Sequence, residues 1–406
     1  MLPAEDPGTF VSPGGSWSEA PSPSLPCVGI AVFHSFGQAE AEWRKAQDHC
    51  DCYGFQTFDW LSTWHETIGI VERIVPQIVR VADADGSTLM LLPLGIQRRL
   101  GLSHLVFLGG GTTDYNAPII RADFAASLDP DAADALIARI LKQLPDVDVV
   151  ALDRMPVVID GVANALAHLR GAEHVSNAWV ATLGETFADF KKRRSAKFFK
   201  KAAGMQRRLA EMGATELCLA DTPEAVADIM QAFVRQKRRR LQEIGSPDLF
   251  ARPGHLRFYK AMAERHRDTG FIQLSALRVG ETIVATHWGM VFRNRIYWLM
   301  PTYETGEWAR LSVGRLLMQR LVEWGIARRI KYFDLTIGDE EYKRLWADHT
   351  MPLHACVRGV TVRGKVYQAI RLTVGHLKAL VARSERLRSI ARGLAPPRGF
   401  RRPAAE

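Results

Sequence analysis

The sequence predicts an α/β protein of two similar lobes, each a mixed, mostly antiparallel central sheet flanked by helices. Three observations carry that reading. Residues 271–337 run as three strand-like segments, a capped amphipathic helix and one further short strand. Residues 28–183 repeat that order in outline, without sequence identity to speak of. The chain has 406 residues, 47% hydrophobic and 24% charged, which is enough for two globular cores.

In the first lobe a strand at 28–33 precedes helices at 39–49 and 58–68. Runs at 75–81, 88–96 and 103–108 alternate apolar and polar residues between turn signals, so they read as a meander. A helix at 131–143, a strand at 147–152, a helix near 162–168 and a strand at 177–183 complete the lobe. In the second lobe an apolar stripe at Phe187, Phe190, Phe198, Met205, Leu209 and Met212 makes 187–212 a helix, stopped by Gly213. A strand at 215–219 follows, and Thr222-Pro223-Glu224 then caps a helix running to about Ile244. After a helix at 255–267 come the strands 271–278, 282–292 and 295–300. Val313, Leu316, Leu317, Leu321, Val322 and Trp324 share one face of a helix from about Arg310 to Arg328. A strand at 332–337, a short helix at 340–346 and a strand at 353–360 end the lobe. The boundaries expected are a disordered leader at 1–27, lobes at 28–184 and 185–360, and a basic amphipathic helix and tail at 361–406.

Composition narrows the classes. No apolar run reaches the roughly 18–20 residues that span a bilayer. The first 26 residues are rich in Pro, Ser and Gly and lack the basic and apolar regions of a signal peptide. The expected location is cytoplasmic. Cys27, Cys50, Cys52, Cys218 and Cys356 form no disulfide framework, and His49-Cys50-Asp51-Cys52 has no second ligand pair, so no metal is expected. The net charge of +9 is concentrated at the C-terminus. From Arg358 onward there are 12 bases against Glu385 and Glu406, which leaves 41 bases and 42 acids before it. A folded nucleic-acid-binding body is therefore not expected. The stretch 366–402 alternates apolar residues with bases, the pattern of a helix that rests peripherally on anionic membrane.

The candidate site residues follow from the second lobe's order. A helix start after a meander presents free N–H groups and a positive dipole end to a phosphorylated cofactor. Arg310, Ser312, Val313, Gly314 and Arg315 form that set, with Ser312 expected to cap the helix and Gly314 to admit a phosphate. His287, in mid-strand, and Asp334, at a strand end, are the candidate general bases. Tyr342 is the candidate acid for a leaving thiolate, and Lys343 either faces substrate or pairs with Glu340 or Asp339. In the first lobe, Gly109-Gly-Gly-Thr-Thr-Asp-Tyr-Asn116 reads as an acceptor-binding or interlobe loop through Asp114 and Tyr115. The basic runs 191–208 and 235–240 read as solvated helix faces or as contacts to an anionic partner.

Several segments resemble the tandem GNAT acyltransferases of the CelD/BcsL type, relatives of the FemAB aminoacyltransferases. They are Phe55-Gln-Thr-Phe-Asp-Trp60, Arg193-Arg-Ser-Ala-Lys197, Ala309-Arg-Leu-Ser-Val-Gly314, and Phe333-Asp334 followed by Glu341-Tyr-Lys343 and Trp346. The likeness covers residues 28–360. It implies transfer of an acetyl or other acyl group from acyl-CoA to an amine or hydroxyl of a small-molecule, glycan or lipid-linked acceptor, in a polysaccharide or envelope setting. The family's Gln/Arg-x-x-Gly-x-Gly/Ala loop is reduced here to one arginine and Gly314. Two alternatives stand beside that reading: a FemAB-like transferase using aminoacyl-tRNA, and a degenerate, non-enzymatic GNAT scaffold at the membrane surface.

Overall fold

A computed structural model describes residues 28–194 and 196–383. The leader 1–27 and the tail from residue 384 onward lie outside the described residues. The strands are β1 (Gly29–Phe33), β2 (Val75–Ala82), β3 (Thr88–Arg99), β4 (Leu102–Phe107), β5 (Ile119–Ile120), β6 (Val149–Pro156), β7 (Val158–Ile159), β8 (Val162–Ala163) and β9 (Ala172–Thr182). They continue as β10 (Thr215–Leu219), β11 (Ile272–Val279), β12 (Thr282–Phe292), β13 (Arg295–Tyr303), β14 (Tyr332–Ile337) and β15 (His349–Gly359). The helices are α1 (Phe36–His49), α2 (Phe58–Trp64), α3 (Ala122–Ser127), α4 (Pro130–Leu141), α5 (Phe187–Lys192) and α6 (Ala196–Met212). After them come α7 (Pro223–Glu243), α8 (His255–Arg265), α9 (Glu307–Arg310), α10 (Val313–Ala327), α11 (Glu341–Trp346) and α12 (Val362–Arg383).

The two lobes share one sheet of 13 strands, in the order β1-β2-β3-β4-β6-β15-β9-β14-β13-β12-β11-β10 with β5 beside β3. Each half is an antiparallel meander followed by one parallel neighbour, β6 beside β4 and β14 beside β13. A parallel neighbour needs a crossover, and α4 and α10 supply the two. The join is an exchange. β9 leaves the first half to pair with β14, β15 leaves the second to pair with β6, and the two lie antiparallel at the centre. Their backbone hydrogen bonds hold the halves together across the seam.

Helix starts follow the sequence signals. Thr57, Asp129, Thr186 and Thr222 each accept a backbone N–H from the first turn of the helix they precede, and Pro130 and Pro223 occupy the opening positions. Two expected helices differ. The run 187–212 is broken after Lys192, because Arg193 and Arg194 turn back to bind Thr182, Leu183 and Trp346 carbonyls and Asp348. The expected helix near 162–168 is a two-residue strand and a short 3₁₀ turn held by the Asn164 side chain.

One apolar core runs through both halves, with Phe55 and Trp60 of the first packing among Phe258, Trp288 and Tyr297 of the second. A second core, with Leu316, Leu317, Leu321, Val284 and Phe333, lies between α10 and the opposite face of the sheet. Close backbone approach fixes the seam at Gly254, whose φ is +82° and whose Cα faces the Thr67 carbonyl. A side chain there meets both backbone strain and collision. Gly254→Ala is expected to destabilise the fold by roughly 1–3 kcal/mol in urea unfolding; an unchanged midpoint would show the contact to be slack.

Candidate active site

The site is built where β13 and β14 part company. They pair only at Arg295–Tyr332, Ile296–Phe333 and Tyr297–Asp334, while β13 continues to Tyr303. Beyond Tyr297 the parallel strands leave a wedge at their C-terminal ends, the side on which open α/β sheets hold ligands. α7 fixes the far wall. Arg239 binds Glu304 at 2.6 Å and donates to the Tyr303 carbonyl, while Gln236 bridges Thr286 and Glu304.

α10 starts at this wedge. Gly314 lies against the Tyr303 ring, which an added Cβ would meet at 3.0 Å, so a side chain there fits once that half-buried ring shifts by a few tenths of an ångström. Ser312 does not cap the helix as expected. It takes a left-handed conformation, φ +51° and ψ +43°, and its hydroxyl makes no capping bond, so the first N–H groups of α10 are left without a side-chain cap. Val313 contributes only its backbone, since its side chain is buried in the second core. Arg310 is exposed on α9, and Arg315 is half-buried, its cation disfavoured by burial.

The two expected bases are buried. The His287 ring stacks on Trp298 at 4.3 Å, Nδ1 lies 3.0 Å from Gln273 Oε1, and Nε2 faces the Tyr297 carbonyl without a well-formed bond. Burial pushes its pKa down to about 3, which makes it a weak base out of reach of any acceptor. Asp334 is fully buried with both oxygens engaged. Oδ1 accepts from the Tyr115 hydroxyl at 2.6 Å and from the Thr336 N–H at 2.9 Å, and Oδ2 accepts from Arg295 at 2.9 Å. Burial is the largest single influence on Arg295 and opposes its charge, but the Asp334 carboxylate together with the surrounding tyrosine oxygens keeps it protonated. Tyr53 and Asp160 of the first lobe also face Arg295. This cluster ties the lobes together. It gives Tyr115 a structural partner, and neither Asp334 nor His287 has access to a reacting group.

Asp114 is differently placed. It lines a cavity of about 230 Å³ between the lobes with Trp60, Lys237, Arg252, Tyr259 and Met300. Burial raises its carboxyl pKa, and the Thr336 side chain lies within hydrogen-bonding reach. Thr336 itself sits at φ +57°, an outlier for a β-branched residue, and serves Asp334 through its N–H and Asp114 through its side chain. Burial lowers the Lys237 pKa. Glu340, at the start of α11, senses Lys237, pairs with Lys343 at 3.0 Å and lies near Tyr342. Lys343 also donates to the Ile337 carbonyl at 2.6 Å, so it is a buried staple of the strand end and not a substrate group. Burial pushes the Tyr342 phenol up to about 12, which keeps it protonated.

Lys237, Arg252 and Thr336 are the site residues that sequence reasoning passed over. Lys237 was legible: the buried stripe Val226, Ile229, Met230, Phe233 of α7 continues at helical spacing to Gln236 and Lys237, so this lysine of the basic run points inward. Thr336 carries no sequence signal for its backbone angle. Among the described residues, no group of three or more His, Cys, Asp or Glu could hold a metal, and no helix is long and apolar enough to cross a membrane.

Comparison with known proteins agrees with this architecture. Residues 196–344 match the family described as acetyltransferase (GNAT) domain. No curated protein sequence matches the chain. Among solved structures the chain is similar to FemX, with 10% identity, TM-score 0.58, and 84% of this chain and 99% of that one covered. It is also similar to the C-terminal DUF2156 domain of a protein described as a lysylphosphatidylglycerol synthetase from Agrobacterium fabrum, at 11% identity, TM-score 0.50, and 84% and 97% coverage. A conserved protein of unknown function from Bacteroides thetaiotaomicron VPI-5482 matches at 13% identity and TM-score 0.50, with 81% and 100% covered. The fold is thus an α/β pair of similar lobes on one mostly antiparallel sheet, and the match to the acetyltransferase (GNAT) domain falls within the second.

The buried His287 has a measurable consequence. Its folded-state pKa of about 3 lies below the ordinary 6.5, so the unfolded chain binds the extra proton between those values. Its contribution to stability is complete above pH 6.5 and is lost as the pH falls toward 3. His287→Phe is expected to flatten the stability–pH curve in that window; an unchanged slope would show that other groups set it.

Proposed function

We propose that the protein is an acyltransferase that moves an acyl group from acyl-CoA to an amine or hydroxyl of an acceptor held between the lobes. The observation that carries this is the parting of β13 and β14 after three paired residues, with the α10 start on one wall and the Asp114 cavity at its mouth. The GNAT match over residues 196–344 supports a donor site at α10. There the free N–H groups of Val313 and Gly314, with Arg310 and Arg315 beside them, would receive the pyrophosphate.

In this reading Asp114 takes the proton as the acceptor nitrogen or oxygen bonds to the thioester carbonyl carbon. Its raised pKa moves a carboxylate toward the range in which a general base works. The carbon–sulfur bond breaks, and the Tyr342 phenol returns a proton to the departing thiolate. Lys237 and Arg252, which line the cavity and make no ion pair among the described residues, favour an acceptor that carries a negative group near its reacting atom. The CelD/BcsL resemblance makes a glycan or lipid-linked acceptor the first class to try.

Aminoacyl-tRNA is the alternative donor, supported by exposed Lys191, Lys192, Arg207 and Arg208 on the second lobe. Thermal unfolding with acetyl-CoA, longer acyl-CoAs and tRNA separates the two. A CoA species at about 100 times its Kd should add about 2.7 kcal/mol of stability. Gly314→Glu is expected to abolish that gain without lowering the melting temperature of the free protein by a comparable amount. Stabilisation by tRNA alone, steeply lost with salt, would replace acyl-CoA as the donor. With a working acceptor, Asp114→Asn should lower kcat by roughly 10²-fold or more and remove the acid limb of the rate profile; near-normal turnover would take Asp114 out of the mechanism.

A further inference from the structure

The β3–β4 hairpin tip and the first turns of α12 form one outward surface, and we propose that it docks the protein on a bilayer of anionic lipid. The first turns of α12 are anchored mainly along one face. Gly364 lies against the Asp148 backbone, the Tyr367 ring meets His104 at 5.2 Å, and Gln368 Oε1 accepts the Gly359 N–H at 2.8 Å. On a helix, residues 364, 367 and 368 point one way, and 362, 366 and 370 point roughly the opposite way. That opposite face is apolar and bare: Val362 is 79% exposed, Val366 55% and Ile370 59%. Arg363 and Lys365 flank the stripe on its two sides, and both are exposed.

The hairpin continues the surface. Arg363 donates to the Gly101 carbonyl, which sets the tip Arg98-Arg99-Leu100 beside the start of α12. Leu100 is 80% exposed and held at φ +52°. A leucine gains nothing in water from that position, and a left-handed backbone costs a residue with a Cβ roughly 1–2 kcal/mol. The two-residue turn Leu100-Gly101 accounts for the left-handed angle, Gly101 being at φ +72°; the apolar side chain at its tip adds to the bare stripe of α12 beside it.

Charge names the occupant. From His349 to Ser384 the chain has no Asp or Glu. Arg98, Arg99 and Lys365 are exposed and make no ion pair among the described residues. Asp148 beneath the surface is committed to the Thr361 hydroxyl at 2.6 Å and the Ser103 N–H at 3.0 Å. An apolar stripe edged by unneutralised bases, with an apolar tip alongside, fits the boundary between acyl chains and phosphate headgroups. A second copy of this surface would set base against base, so self-association is disfavoured.

Co-sedimentation of the full chain with phosphatidylcholine vesicles, with and without phosphatidylglycerol, tests the proposal. Binding is expected only with phosphatidylglycerol and should weaken as salt rises. The variant Leu100→Gly, Val366→Ser, Ile370→Ser should lose roughly tenfold or more in partitioning while keeping its unfolding midpoint, since none of the three is packed. Arg98→Gln with Arg99→Gln should lose roughly fivefold per charge removed. Three results would overturn the proposal: equal binding to neutral vesicles, no binding to either, or full binding by both variants, which would place the contact beyond residue 383. Lipid-free dimerisation abolished by the triple variant would assign the surface to a second copy instead.

Discussion

The molecule depends on the buried ion pair between Arg295 and Asp334, at 2.9 Å across the first residues of β13 and β14. Two charges taken out of water are costly unless each is paired and its remaining donors or acceptors are satisfied. Asp334 meets that condition with the Tyr115 hydroxyl and the Thr336 N–H, and Arg295 with the faces of Tyr53 and Tyr332 and the nearby Asp160. Because Tyr53, Tyr115 and Asp160 come from the first lobe, the pair is complete only when the lobes are docked. Removing one partner of such a pair typically costs about 3–5 kcal/mol, because the other is left charged and dry.

The same cluster sets the geometry of the wedge. It pins β13 to β14 at the last residues where they pair, and the strands separate immediately beyond. Thr336, strained at φ +57°, turns out of the pairing register there and reaches both Asp334 and Asp114. One residue thus bonds the structural carboxylate and lies close to the cavity carboxylate. Asp334 is fully engaged within the cluster, whereas Asp114 lines the cavity. Two acids of similar appearance in the sequence are separated by what surrounds them.

Exchange of β9 and β15 across the centre adds a second restraint. Each strand pairs with the other lobe along most of its length, so the cavity between the lobes sits beside a continuous sheet and not at a flexible hinge. Surfaces away from this seam are less constrained. The first turns of α12 are held by Gly364, Tyr367 and Gln368, and Leu100 at the hairpin tip beside them is exposed.

Local physical chemistry was legible in the sequence. Alternating strands, the Thr and Asp caps, the Pro residues at helix starts and the stripe of α10 all act over a few residues, and most of the element order of each lobe could be read from them, the segment 162–168 and the break after Lys192 excepted. So could the grouping of Arg310 to Arg315 at a helix start, and the choice of Asp114 and Tyr115 as a pair facing the other lobe. What the sequence could not settle was burial and pairing between distant segments. His287 and Asp334 look alike as candidate bases until Trp298, Arg295 and Tyr115 close over them from positions far away in the chain. The inward turn of Lys237, the uncapped Ser312 and the left-handed Thr336 likewise depend on which strands part and which lobes meet. Those are properties of the assembled sheet, because the energy of a buried polar group is set by neighbours that only the tertiary structure supplies.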